Sequence, residues 1–345
     1  MFPSRLNSEL LLIFFAILTF SNSCAGPSLD RKIEHATELP SELPREIKDR
    51  FEIKEYAVKS TPTPEPTPVE LTVIPKKAAA KSARKKKKAP LTTALPTEPP
   101  FVYPNRRPEK NPMHTGEVET FEITYLGLSA GLFRLEVMPD KLIENRKVYH
   151  VRGTAHSSSV FSLFYKINDM VESFFDYDGL FSHRFHILLD ETKQERDSIE
   201  LNDSEKEQTY FWNRWSRKDQ GYTETKTFAP IKPFSQDSLS ALFYLRSIPL
   251  PTGAVVTFPV ISEADSWEAV VTVVRREVVD SPLGKVTAIV LKPETKYKGV
   301  LKKSGGDSFI WLTDDDRRYV IRMEAKVKIG VVVANLKAVE PGTPE

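Results

Sequence analysis

The stretch RRYVIRMEAKVKIG, residues 317–330, decides the fold. Tyr319, Ile321, Met323, Ala325, Val327 and Ile329 fall on alternate positions, and Arg318, Arg322, Glu324, Lys326 and Lys328 fill places between them. Side chains that alternate with a period of two point to opposite faces of a strand. The pattern therefore predicts one buried and one wetted face, as in an antiparallel sheet. VETFEITY, 118–125, repeats it, with Phe121, Ile123 and Tyr125 opposed to Glu122 and Thr124.

Working outward, strands are predicted at 131–138, 146–155, 165–176, 181–190, 195–202, 206–215, 254–261, 268–279, 285–293, 307–313 and 331–339. Turn signals separate them: DYDG at 176–179, SPLG at 281–284, KSGG at 303–306 and TDDD at 313–316. One segment has helical spacing, SQDSLSALFYLRSIPLPTG at 235–253. It places Leu239, Leu242, Phe243 and Arg246 on one stripe, with Ser235 or Asp237 as cap and Pro249 and Pro251 as stop. No internal repeat is present. A domain of roughly 225 residues built this way is all-β. So long a sheet must curl or close, because flat open sheets leave vulnerable edges. The expected architecture, favoured over a split into a two-sheet sandwich, is a strongly curved antiparallel sheet or a barrel or half-barrel with one short helix as plug, spanning 114–340, with a short tail at 341–345.

Three stretches in order, GEVETFEITYLGLSAGLFRLEV (116–137), QDSLSALFYLRSIPLPTG (236–253) and WLTDDDRRYVIRMEAKVKIGVVVANL (311–336), resemble domain-of-unknown-function family 3108, a group of exported bacterial envelope proteins. The resemblance covers roughly 114–340. It implies fold and compartment and assigns no activity.

The N-terminal third has a different composition. Leu10 to Phe20 is an apolar run preceded by Arg5 and Glu9 and followed by Ser21, Asn22 and Ser23. It is far below the roughly 20 apolar residues of a membrane span and reads as a signal peptide, 1–23. Cys24, the one cysteine in 345 residues, follows at once. A small residue directly before cysteine is the pattern of bacterial lipoproteins, whose cysteine is acylated and becomes the mature N-terminus. Ala25 and Gly26 favour the outer membrane over the inner. Ser21 departs from the usual leucine, and Ser21-x-Ser23 also suits ordinary cleavage, which leaves a secreted or periplasmic chain with a free thiol. Either way, no disulfide framework and no thiolate metal site is available.

Residues 24–113 read as a disordered linker. Between Cys24 and Gly116 there are 15 prolines and a single glycine, Gly26. STPTPEPTPVE and PTEPPFVYP exclude helix and inner strand. Fully extended, the ~50 residues from Ser60 could reach ~150 Å and hold the domain away from a membrane. Charged pieces near SELPREIKDRF suggest only short transient helices. Residues 1–115 carry 19 Lys+Arg against 13 Asp+Glu, whereas the remainder carries 30 against 34. The excess is concentrated in KKAAAKSARKKKKA, 76–89. Its Lys85, Lys86, Lys87 and Lys88 are candidate contacts for lipid phosphate, lipopolysaccharide or the acidic groups of peptidoglycan. The bland alternative is a solubilising spacer. Nucleic acid is not expected as a partner of an exported chain.

No catalytic motif emerges. His183 and His186 are predicted on opposite faces of one strand, and His150 and His156 lie far apart along another, so no metal ligand set forms. AHSSS (155–159) has no neighbouring acid, and DDD (314–316) reads as a solvated turn. No cofactor fingerprint is present. YFWNRW, 210–215, puts Tyr210, Trp212 and Arg214 on one face and Phe211, Asn213 and Trp215 on the other. Trp212, Trp215 and Arg246 are the ligand-contact candidates, against the alternative that they are core or structural. The leading expectation is a non-enzymatic envelope lipoprotein whose β-domain binds an apolar or amphiphilic ligand or a partner protein. The alternatives are a structural tether to peptidoglycan or another anionic polymer, and, ranked last, a cell-wall hydrolase.

Overall fold

The computed structural model describes residues 39–41, 43–56, 101–297, 300–302, 307–327 and 330–344. Cys24 and Lys85–Lys88 lie outside them. By contacts the chain divides into 1–56 with 103–345 as one unit and 57–102 as another, of which only Phe101 and Val102 are described.

The alternating stretches form one antiparallel sheet. After a short helix α1 (Arg45–Arg50) and the two-residue β1 (Lys54–Glu55) come β2 (Thr115–Tyr125), β3 (Leu128–Ile143), β4 (Arg146–Ser157), β5 (Asn168–Asp176), β6 (Ser182–Asp190), β7 (Gln194–Asp203), β8 (Gln208–Arg217) and β9 (Gly221–Pro230). Helix α2 (Ser238–Ser247) follows. Then come β10 (Val255–Ser262), β11 (Asp265–Ser281), β12 (Gly284–Tyr297), β13 (Val300–Lys302), β14 (Ser308–Thr313), β15 (Val320–Lys326) and β16 (Val331–Thr343). The order is β10-β11-β12-β14-β15-β16-β2-β3-β4-β5-β6-β7-β8-β9, with β1 on β3 and β13 on β12. Nearly every step is a hairpin between neighbours, and only β16–β2 joins strands distant in sequence.

Bulges break register at Val273/Arg275, Met138/Lys141, Phe174/Phe175 and Leu336/Ala338. Each adds local twist and bends a strand, so the sheet rolls until its ends approach. Glu200 on β7 accepts from the backbone N–H groups of Glu263 (3.2 Å) and Ala264 (2.7 Å) in the β10–β11 turn. The ends are not joined strand to strand. Instead Gln236 bridges the free edge of β10, donating to the Pro259 carbonyl and accepting from Ile261 N–H, both at 2.9 Å. Next to it, the Ser235 carbonyl accepts from Ser182 N–H of β6 at 3.0 Å. Pro259 is tolerated in β10 because an edge strand can spare one donor.

Helix α2 fills the curl. Asp237 caps it in a reciprocal box, accepting from Ser240 N–H at 2.8 Å while Ser240 Oγ accepts from Asp237 N–H at 2.9 Å. Leu239, Ala241, Phe243 and Leu245 are buried, and Leu242 is only partly so. The helix is thus surrounded rather than laid against the sheet by the single stripe the spacing predicts. The main core gathers Phe121, Ile123, Phe133, Val151, Phe175, Phe243, Val271, Leu291 and Val332 on the concave face.

Three expectations need correction. The alternation in 317–330 is interrupted by a bulge where Leu312 pairs with Val320 and Trp311 with Arg322. Val320, Met323 and Val327 face the core, while Ile321 turns outward to Ala288, Val290 and Trp311. β9 is an unpredicted strand, because GYTETKTFAP lies at the sheet's edge and is exposed almost throughout, leaving no alternation to read. The third concerns the linker expected across 24–113, of which two pieces belong to the domain. Leu43 and Phe51 are buried on the convex face against Ile143, Val148, Phe174, Ile199 and Leu201, and Arg50 pairs with Glu144 and Asp203. Further on, Tyr103 stacks on Phe181, and Met113 is buried in the main core.

Tyr56 lies against Lys147 (4.9 Å) and Tyr103 against Arg146 (3.9 Å), adjacent residues of β4. Both ends of the Pro- and Lys-rich stretch are therefore fixed to one strand. It follows the docked α1 in the chain and does not separate Cys24 from the domain. The expectation that it holds the domain away from a membrane is withdrawn.

Candidate functional site

On the concave face a cleft opens where β3, β4, β5 and β6 face the ends of β7 and β10. Its volume is about 570 Å³, counted with its open mouth. Phe133, Ala155, Val171, Phe185, Ile187 and Leu189 make the apolar wall, and Asp169, Arg196, Ser238 and Ser262 bring polar atoms to it. Alternation puts these residues there. Val171 pairs with Ile187, and Leu189 with Arg196, so the row crosses the inner surface from strand to strand. Gly153 keeps the floor low: a Cβ there would meet Val171 at 2.9 Å and Phe133 at 3.0 Å.

The polar end is an ordered network. Burial, and then the neighbouring Glu191, push the Asp169 carboxyl up to about 9, so it keeps its proton at neutral pH and shares it with Glu191. Glu191 also accepts from Tyr165 Oη and Gln194 Nε2, both at 2.6 Å. Asp190 N–H donates to Asp169 at 3.1 Å. Arg196 is buried, donates to Asn213 Oδ1 at 2.7 Å and pairs with Glu263 at 2.6 Å. Sequence reasoning passed over these residues because their partners lie on neighbouring strands. The one available signal was polar residues in the inward register of QERDSIEL, 194–201.

The candidates named from sequence separate. Trp215 is not part of the cleft's lining but pairs across the strands with Arg196, which is. Its ring lies under Arg196 (4.8 Å) and Arg217 (4.1 Å), and its Nε1 donates to Gln194 at 2.9 Å. Trp212 lies on the opposite face, in the convex cluster covered by Leu43 and Phe51, with Nε1 donating to Glu224 at 2.9 Å. The two tryptophans do not share a site.

Arg246 has no exposed side-chain surface. It pairs with Glu117 at 2.7 Å and Glu119 at 3.1 Å and donates to the carbonyls of Arg317 (3.0 Å) and Pro112 (3.4 Å). Burial, together with Glu117, raises Glu119 to about 8 against the pull of Arg246. The structure thus places Arg246 among its own carboxylates and away from any ligand-facing surface.

Three of the six histidines stand against carboxylates. His183 meets Asp176 at 3.1 Å, while His186 meets Asp197 and His150 meets Glu172, both at 2.9 Å. Among the described residues, no group of three or more His, Cys, Asp or Glu is placed to hold a metal ion. In the 314–316 turn, Asp315 accepts from Arg317 N–H (3.0 Å) and Arg318 N–H (2.9 Å), Asp314 pairs with Arg276 and Asp316 with Lys110.

With this geometry in hand, comparison with known proteins settles kinship. The chain belongs to the DUF3108 family, proteins of unknown function. The family's sequence model matches residues 120–337, from within β2 to within β16. Two solved structures are similar. One is a β-barrel-like protein of domain of unknown function DUF1849 from Brucella abortus, at 9% identity and TM-score 0.40, covering 66% of this chain and 99% of that one. The other, from Bacteroides fragilis, is described as exported with a YmcC-like fold, at 10% identity and TM-score 0.29, covering 70% of this chain and 99% of that one. No curated protein matches the sequence. The DUF3108 domain as seen here is a curled, unclosed antiparallel sheet around a buried helix.

Proposed function

We propose that this DUF3108 protein is a non-enzymatic, exported envelope lipoprotein, anchored through Cys24, whose domain takes the apolar part of a small amphiphile into the concave cleft. The observation that carries the reading is the cleft. Among the described residues, an apolar-walled opening on the concave face ends in a buried polar network. Ligand sites commonly occupy about 300–1,000 Å³ and combine an apolar lining with a few placed polar groups. The cleft as it stands is smaller, with about 30 Å³ of space open to a water-sized sphere, so wall side chains such as Ile187 and Leu189 must part to admit one alkyl chain.

The test is binding of N-phenyl-1-naphthylamine to the full chain, read by fluorescence, with Ile187→Trp to fill the cleft. Wild type is expected to bind the probe and release it to single-chain amphiphiles. The variant, folded by circular dichroism, is expected to bind about tenfold more weakly. Equal binding by the two proteins, or none by wild type, rejects the reading. Membrane anchorage is tested apart from this: labelled palmitate should enter wild type and not Cys24→Ser.

The tether alternative changes form. Lys85–Lys88 fall in the sequence between Tyr56 and Tyr103, which both contact β4. A peptidoglycan pull-down with the four lysines changed to serine checks it, and equal retention removes the basic run from any such role.

A further inference from the structure

At the end of the sheet where β2, β4, β6, β8, β10 and β15 finish, large apolar side chains stand in solvent. Leu126 (60% exposed) and Leu128 (73%) form the tip of the β2–β3 hairpin. Val160 (68%), Leu163 (81%) and Phe164 (79%) project from the short 3₁₀ turn between β4 and β5. Soluble surfaces scatter apolar residues singly, and contiguous exposed groups mark interaction sites. These are contiguous. Ser158 N–H donates to the Ala130 carbonyl at 2.8 Å and Ser158 Oγ to the Ser129 carbonyl at 3.2 Å, seating the 3₁₀ turn beside the hairpin. On the far side Gly330 packs against Leu126, where a Cβ would meet the leucine side chain at 2.4 Å.

We propose that this end docks on an anionic phospholipid surface, with the two tips inserted among the headgroups. Shape and charge select this occupant. The apolar groups are convex and sit on separate turns. A bilayer accepts such tips one by one, whereas a folded partner would need a matching pocket for each. The two segments that carry them, 126–134 and 156–167, contain Arg134 and Lys166 and no Asp or Glu, and the exposed Lys326 ends β15. Arg134 pairs with Glu136 at 3.1 Å and Lys166 with Asp190 at 2.9 Å, both at the surface, and Glu122 accepts from Ser129 Oγ at 2.8 Å. Exposed ion pairs of this kind are weak, so Arg134 and Lys166 can exchange their carboxylates for headgroup phosphates while the apolar tips enter the layer beneath. The inference does not depend on acylation of Cys24 or on occupation of the cleft.

The chain's single cysteine makes the test direct. Full chains carrying Cys24→Ser with either Phe164→Cys or, at the opposite end, Leu283→Cys are labelled with a nitrobenzoxadiazole fluorophore. They are then mixed with vesicles of phosphatidylglycerol and phosphatidylethanolamine. The label at 164 is expected to shift to the blue and to be quenched by spin-labelled lipid, while the label at 283 is unchanged. Leu128→Ser with Leu163→Ser in the Phe164→Cys background should weaken the lipid titration by about tenfold or more, and phosphatidylcholine vesicles should bind more weakly. No blue shift at 164, an equal shift at 283, or a shift at 164 that follows protein concentration without lipid (a protein contact) overturns the proposal.

Discussion

Replacing Arg246 with Met should expose how the domain's two ends are held together. The guanidinium is wholly buried and joins α2 to Glu117 and Glu119 of β2 and to the carbonyls of Pro112 and Arg317. Methionine fills much of the volume but leaves two buried carboxyl groups without their main counter-charge. Glu117 retains the Arg317 side chain, and Glu119 retains Val320 N–H at 2.8 Å. Removing one partner of a buried ion pair costs about 3–5 kcal/mol, and for a domain of this size that lowers Tm by about 10 °C or more. The loss should depend on pH. Glu119 already titrates at about 8 because burial and Glu117 oppose its ionisation. Without Arg246 its folded-state value rises further above its unfolded one. A carboxyl raised on folding favours the folded state at low pH and loses that contribution as pH rises from the unfolded to the folded value. The deficit of Arg246→Met should therefore be largest near pH 8 and shrink towards pH 5, with Glu119→Gln recovering part of it. Urea unfolding followed by tryptophan fluorescence at several pH values measures this. A deficit under about 1 kcal/mol at pH 7.5, or one constant across the range, would refute the reasoning.

Other expectations follow from the same geometry. Phe51→Ala, which empties a buried site on the convex face, should cost about 3–4 kcal/mol and make α1 the first segment cut in limited proteolysis; unchanged stability and cleavage would mean the segment is not docked. Burial raises Glu200 to about 7 although it accepts from the 263–264 turn. Its contribution should thus fall by about 3 kcal/mol between pH 4.5 and 7, and a pH–stability curve for Glu200→Gln should be flatter there. Asp169→Asn mimics the protonated acid. It should fold normally and remove one source of stability loss between pH 4 and 9, which the same titration of unfolding midpoints checks.

The legible part of the fold was whatever repeats locally. Alternation in 118–125 and 317–330 announced strands, and the hairpin signal at 176–179 is realised with Asp176 accepting from Gly179 N–H at 2.6 Å. What period two cannot show is where it fails. The Ile321 bulge reverses a face within a stretch that looks perfectly regular. An edge strand such as β9 has no buried face to alternate against. The docking of Leu43 and Phe51 was hidden because prolines at 40 and 44 suggest a linker, whereas their partners Ile143, Val148 and Ile199 lie far along the chain, beyond β2. The cleft was illegible for the same reason, since Asp169, Arg196 and Ser262 converge only when the sheet has curled.

That curl also sets how the parts can act together. With residues 39–56 on the domain, the chain between Cys24 and Leu43 spans at most about 65 Å. β3, with 16 residues, is about 54 Å long. A lipid at Cys24 and the apolar tips at 126–128 and 160–164 can therefore reach one bilayer at once, although α1 docks beside Ile143 at the other end of β3. Phe164 is followed at once by Tyr165, which holds Glu191, and Asp169 opens β5 on the cleft. The exposed tip and the cleft's polar end are thus five residues apart along one segment. If both the docking and the binding proposals hold, vesicles should accelerate transfer of a single-chain probe into the cleft. Leu128→Ser with Leu163→Ser should abolish that acceleration while leaving the affinity measured without vesicles unchanged. A rate indifferent to vesicles would separate the two surfaces.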